Sequence, residues 1–188
     1  CTTTASVYDS IAAWSAQQRH LPSLNIVSDF HQHPAYIAAL AAQVQAHWQQ
    51  HGRAEKLLLS FHGVPQRTVD LGDPYAAQCQ QTAQLLASAL QLQPEQWQIS
   101  FQSRFGKAKW LEPATDHSLE KLAAQGCRSV DVFCPGFVAD CLETLEEIAI
   151  ENRDIFMQAG GQGFRFISCL NDSTTWLDAL AQMVDTQI

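Results

Sequence analysis

Val132-Phe133-Cys134-Pro135-Gly136-Phe137-Val138-Ala139-Asp140-Cys141-Leu142-Glu143-Thr144-Leu145-Glu146-Glu147-Ile148 leads from an apolar run, through a Pro-Gly turn, into a helical pattern. Ser129 to Cys134 reads as a strand, and the helix that follows places Glu143, Glu147 and Glu151 at i, i+4 and i+8. Residues four apart share a helical face, so the three carboxylates line up as a ladder. Like charges at that spacing cost about 0.2–0.5 kcal/mol per pair, so neutralising Glu147 and Glu151 should stabilise the helix slightly. Two readings remain open from the ladder alone. It is either a solvated acidic face or a set of carboxylates presented to protons or a cation.

Strand and helix alternate along the rest of the chain. Thr4 to about Arg19 is helix-like, with Val7, Ile11 and Trp14 at helical spacing. Leu24 to Phe30 reads as a strand. Pro34 opens a helix that Gly52 ends, with proline and glycine at their expected positions. Lys56 to Phe61 is a short apolar strand that breaks at His62-Gly63. A helix from Asp73-Pro74 to about Leu92, a strand from Gln96 to Gln102 and a helix from Thr115 to Gln125 come before the opening segment. After the acidic helix come a strand from Phe164 to Ser168 and a last helix over 172–188. This alternation predicts an α/β fold, a parallel sheet with helices on both faces.

Composition narrows the function classes. A net charge of −8 with scattered basic residues argues against a nucleic-acid partner. No apolar stretch reaches the ~20 residues of a membrane span, which leaves a peripheral membrane contact as the lipid interaction open to this chain. The six cysteines include no C-x-x-C pair and suggest reduced thiols in a cytoplasmic protein. The start at Cys1-Thr2-Thr3-Thr4 reads as a cut within a longer protein.

Parallel α/β sheets bind ligands beyond the carboxyl ends of their strands. Three such ends carry unusual sequence: Ser60-Phe61-His62-Gly63, Phe101-Gln102-Ser103-Arg104-Phe105-Gly106 and Cys134-Pro135-Gly136-Phe137. His62 and the ladder are therefore expected to share one crevice. There His62 is a candidate general base or metal ligand, against the commoner role of a structural histidine.

Taken in order, these segments resemble the ferrochelatase family. The resemblance rests on Leu59-Ser60-Phe61-His62-Gly63-Val64-Pro65, Gly72-Asp73-Pro74-Tyr75, Phe101 to Gly106, Trp110-Leu111, Pro113-Ala114-Thr115-Asp116, Cys134 to Phe137, Asp140-Cys141-Leu142-Glu143-Thr144-Leu145 and Leu170-Asn171-Asp172. It spans nearly all of this chain, but only the last three-fifths or so of a family member. It implies an enzyme, a lyase of haem biosynthesis that inserts ferrous iron into protoporphyrin IX and releases two protons, with iron as substrate. Residues 1–188 then correspond to a C-terminal chelatase domain, with a bridging helix over 1–20 and a missing N-terminal half as partner. By resemblance His62 and Glu143 are the catalytic and metal-meeting pair, Glu147 and Glu151 a relay, and Phe137 and Trp110 aromatics of the porphyrin pocket. The family's ladder helix also carries a π-bulge.

Chemistry accounts for these residue types independently. Metallating a porphyrin displaces two pyrrole protons, which an imidazole of ordinary pKa about 6.5 can receive. A carboxylate opposite can escort the cation, and further acids can exchange protons or metal with solvent.

Two departures stand out. Many members have histidine where this chain has Cys141, a softer ligand. Some members bind a 2Fe–2S cluster, and Cys1 falls where one ligand sits in animal members. This chain ends at Gln187-Ile188 without the cysteine-rich tail, so no cluster is expected. Cys134 and Cys141 suggest a metal pair by spacing, although Cys134 reads better as a buried strand residue. Rival readings are another tetrapyrrole metal chelatase, a non-catalytic porphyrin- or metal-binding module, and a purely structural α/β domain.

Overall fold

A computed structural model describes residues 2–185 of the chain. Four strands, β1 (Lys56–His62), β2 (Trp97–Gln102), β3 (Ser129–Phe133) and β4 (Gly163–Ile167), form a parallel sheet in the order β2-β1-β3-β4. The helices are α1 (Thr2–Ser15), α2 (Pro34–His51), α3 (Gln66–Asp70), α4 (Tyr75–Ala89), α5 (Thr115–Ala124), a π-helix (Glu143–Asn152) that continues as α6 (Arg153–Gln158), and α7 (Thr174–Asp185). This is the α/β class that the alternation predicts.

Strand periodicity builds the three layers. Successive side chains point to opposite faces, so Leu57, Leu59 and Phe61 pack with Phe101, Phe133 and Ile167 beneath α2, α4 and α7. Leu58, Val130 and Val132 point the other way, against Leu119 of α5, Ile148 of the π-helix and Phe156 of α6. Each fully buried aliphatic or phenyl side chain of this kind contributes about 1.5–3 kcal/mol. At the ends of α2, His33 accepts a hydrogen bond from the Ala35 amide, and Gly52 takes the positive φ of 76° that closes the helix.

Three elements differ from the sequence expectation. Leu24 to Phe30 is not a strand. Its Leu24, Ile26 and Val27 are half exposed, and Phe30 instead packs on Tyr36 and Trp176, with ring centroids 5.1 and 5.9 Å away. β-branched and apolar residues favour a strand only where they line up along a sheet edge, and this segment is not part of the sheet. The short α3 carries no periodic apolar signal and contains no buried residue. The ladder helix is a π-helix along its first ten residues rather than an α-helix with one bulge.

At the amino end of the sheet, Asp131 of β3 is 1% exposed. Its carboxylate accepts from Arg165 Nε at 2.7 Å, Trp48 Nε1 at 2.7 Å and the Ala54 amide at 3.1 Å. Removing one partner of a buried ionic cluster strands the others. Asp131→Ala is expected to cost about 3 kcal/mol, the low end for a buried pair because Arg165 stays partly exposed. Urea denaturation checks this, and a loss below about 1 kcal/mol would contradict it.

Candidate active site

The sheet order sets the address of the site. From central β1 the chain moves outward to β2, then returns to β1's other flank with β3. The connections leaving β1 and β3 diverge, and such a switch point opens a crevice at the carboxyl ends. His62 ends β1, paired in register with Gln102 of β2, and the Cys134-Pro135-Gly136-Phe137 turn leaves β3 beside it. The rings of His62 and Phe137 lie 6.2 Å apart between centroids.

Local backbone geometry orients the histidine. His62 Nδ1 lies 2.6 Å from the Gly63 carbonyl oxygen. A carbonyl can only accept, so Nδ1 carries the proton, and in the neutral ring Nε2 presents its lone pair. Gly63 is held at the junction of β1 and β2, where its amide donates to Gln102 O at 2.7 Å. A Cβ there would come within 2.8 Å of that oxygen and 3.2 Å of the Trp110 ring, so only glycine fits. Tyr75 hydroxyl donates to His62 O at 3.0 Å and fixes the strand end from the opposite layer.

The acidic helix is anchored at its start. Asp140 and Asn171 pair reciprocally at 2.8 Å in both directions, and Asp140 also accepts from the Cys169 amide at 3.0 Å. Partial burial pushes the Asp140 carboxyl up, but the bonds from Asn171 and Cys169 outweigh it and hold the group below its ordinary value. Thr144, fully buried, accepts from the Cys141 amide at 2.9 Å. Glu143 then opens the π-helix, its carbonyl accepting from Gln102 Nε2 at 2.8 Å. The Glu143 carboxyl is held below its ordinary value chiefly by hydrogen bonding with the Cys141 thiol and by its own backbone amide, with a smaller lowering from His62 whenever that ring is protonated. The Cys141 thiol is pushed up by burial and by that same bond to Glu143.

An open groove of about 380 Å³ runs along the helix between Glu143, Glu147 and Glu151 and the Ser103–Phe105 segment. A π-helix has wider turns than an α-helix, which brings positions four apart closer to one line. Glu147 also has a task within that line. Its two carboxylate oxygens accept from the Ser103 amide at 2.6 Å and the Ser103 hydroxyl at 2.5 Å. Ser103 adopts φ +65°, a left-handed conformation that costs a non-glycine residue about 1–2 kcal/mol, and the charged acceptor offsets that cost. Glu151 is exposed. Among the described residues no group of three or more His, Cys, Asp or Glu side chains is placed to hold a metal ion.

The ferrochelatase family profile matches residues 1–188. The chain belongs to the ferrochelatase family. It is 56% identical over 181 residues to the ferrochelatase of Methylibium petroleiphilum, covering 96% of this chain and 50% of that protein. It is 53% identical over 187 residues to that of a Polaromonas species, covering 100% of this chain and 51% of the relative. With the Acinetobacter baumannii ferrochelatase it shares 52% identity over 187 residues, covering 100% of this chain and 55% of the relative. The chain thus spans about half the length of the curated relatives it matches.

Against this family background, the aromatics divide differently from the sequence expectation. Phe137 is half-buried beside His62, whereas Trp110 is buried behind Gly63 and donates through Nε1 to Phe105 O at 2.9 Å. The aromatic that reaches the groove is Phe105, 73% exposed and stacked on Trp110 at 4.9 Å. In sequence Phe105 is one hydrophobe in a charged loop, and its flanking Arg104 and Lys107 are the one signal that it stays at the surface. Gln102 and Ser103 escape sequence reasoning too, since neither amide nor hydroxyl advertises a partner. Cys134 is fully buried, and its thiol donates to Gln102 Oε1 at 3.4 Å, as a structural residue would. Cys1, Gln187 and Ile188 lie outside the described residues.

The ladder expectation of uniform stabilisation on neutralisation therefore splits. Glu147→Gln weakens charged hydrogen bonds to Ser103 and is expected to destabilise by about 1–2 kcal/mol. Glu151→Gln relieves repulsion alone and should stabilise by about 0.2–0.5 kcal/mol. Melting temperatures of the two variants should move in opposite directions, and a rise for both would overturn the Ser103 clamp.

Proposed function

We propose that this chain supplies the metal-insertion face of a ferrochelatase that places ferrous iron into protoporphyrin IX, the reaction completing haem b. Two pyrrole N–H bonds break, iron–nitrogen bonds form and two protons leave. What supports this reading most directly is that His62 ends β1 with Nε2 free to accept, while Gln102, its register partner on β2, bonds the first turn of the π-helix at Glu143. An ionised carboxylate there attracts cations. Glu143 therefore escorts the metal, and His62 Nε2 receives a pyrrole proton or meets the metal on the ring's other side. Phe137 and Phe105 offer faces for the macrocycle, and Trp110 supports them from behind. Glu151, open to solvent in the same groove, is the outer end of the path for cations and protons, with Glu147 between.

Supporting this reading are the family membership and the match of chemistry to place. The N-terminal half that the relatives possess is the proposed partner across the porphyrin, and the half-exposed Leu21, Leu24, Ile26 and Val27 offer it an apolar surface. Among the described residues no helix is long and apolar enough to cross a membrane. Work in the cytoplasm, with at most a peripheral membrane contact, completes the proposal.

In the full-length protein, His62→Ala is expected to lower the rate of iron or zinc insertion by about 10²–10⁴-fold. Glu143→Gln, which keeps shape and removes charge, should lower it on the order of 10²-fold. Both should retain the fold, because the Gly63 amide and the Gln102 side chain bond backbone at these positions. Wild-type turnover in both variants would place the chemistry elsewhere.

A further inference from the structure

A π-helix ten residues long needs a cause, because the wide turn ordinarily occurs as a single-turn bulge within an α-helix. Two buried side-chain amides bond its backbone. Gln102, 2% exposed, donates from Nε2 to Glu143 O at 2.8 Å. Asn152, 4% exposed, donates from Nδ2 to Glu147 O at 2.7 Å. The orientation of Gln102 is fixed from behind: its Oε1 accepts from Ser60 Oγ at 2.8 Å and Cys134 Sγ at 3.4 Å, which leaves the NH₂ facing the helix. Ser60 is itself held by Thr115 at 2.9 Å within the core. The same Gln102 is the register partner of His62, and its carbonyl takes the Gly63 amide. One residue thus bonds both the strand end that carries the histidine and the turn that carries the acid.

We infer that Gln102 is a positioning residue for metal insertion, its core-clamped amide holding the first π-turn so that Glu143 stands at the His62 crevice. Asn152 does the same four residues on, at the carbonyl of Glu147. The inference rests on the metal-insertion reading, and its test separates the two.

The test compares Gln102→Leu, Gln102→Glu and the remote core variant Leu40→Ala in the full-length protein. Hydrogen exchange is followed by mass spectrometry, and zinc insertion kinetics are measured on the same samples. Amides of 143–152 should exchange about tenfold faster in both Gln102 variants, with β1 and β3 unchanged. The kcat should fall about tenfold or more while the KM for porphyrin stays within about twofold. Gln102→Glu keeps the shape but replaces the amide donor with a carboxylate that, when ionised, cannot donate and adds charge beside the acidic helix, so it should exchange at least as fast as Gln102→Leu. If burial of the new side chain prevents folding, Asn152→Leu tests the same clasp, with faster exchange confined to the π-helix. Exchange over 143–152 no faster than in Leu40→Ala overturns the inference. Faster exchange with unchanged kcat leaves the clasp standing and sinks the assignment of the chemistry to Glu143.

Discussion

The dipeptide Gln102-Ser103, at the end of β2, ties the parts of the site together. The Gln102 carbonyl takes the Gly63 amide, its side chain bonds the Glu143 carbonyl, and Ser103 gives both its donors to Glu147. The relative position of His62 and the acidic helix is therefore set by two adjacent residues rather than by long, flexible side chains. Hydrogen bonds to a charged group contribute about 1.5–3 kcal/mol each, enough to hold Ser103 in a left-handed conformation and to support a wide helical turn. Packing supplies the rest. Thr144, Ile148 and Asn152 form the buried stripe of the π-helix, and Glu143, Glu147 and Glu151 fall on its more open side.

Chemistry follows from that placement. Metal insertion requires a proton acceptor, a cation attractor and a rigid wall, each at a fixed distance from one ring. In the proposed reaction β1 would supply the imidazole with its tautomer set by Gly63 O, the π-helix the carboxylate of Glu143, and Phe137 and Phe105 apolar faces. Charge is arranged to be productive as well. The Cys141 thiol beside Glu143 lowers the carboxyl's pKa, an effect that needs no metal bond from sulfur. Two hydrogen bonds from Ser103 to Glu147 offset part of the cost of aligning three carboxylates.

Much of this is legible in the order of the residues alone. Short apolar runs bounded by turn residues mark the four strands, and proline and glycine punctuation marks α2 to within a residue. That His62 and the run leading to Glu143 both follow strand ends of a parallel sheet is likewise legible. What is not legible depends on long-range hydrogen bonds. Leu24 to Phe30 has the residues of a strand and lacks a neighbouring edge, which no local pattern reveals. Acidic spacing of four fits an α-helix and a π-helix alike, and the choice is made by Gln102 and Asn152, one of them 41 residues away from its acceptor. For the same reason Glu147 reads as a free member of the ladder, and no local pattern shows that Trp110 is buried.

The proposed mechanism has a single porphyrin lying between His62 and Glu143. Crystallography of the full-length protein with a bound zinc porphyrin tests it most directly. The expected ring lies against Phe137, with His62 Nε2 on one face at about the 2.0–2.1 Å of a zinc–imidazole bond or within hydrogen-bond reach of the pyrrole nitrogens, and the Glu143 carboxylate on the other face. A ring bound away from the β1–β3 crevice, or one with both residues on the same face, would contradict it.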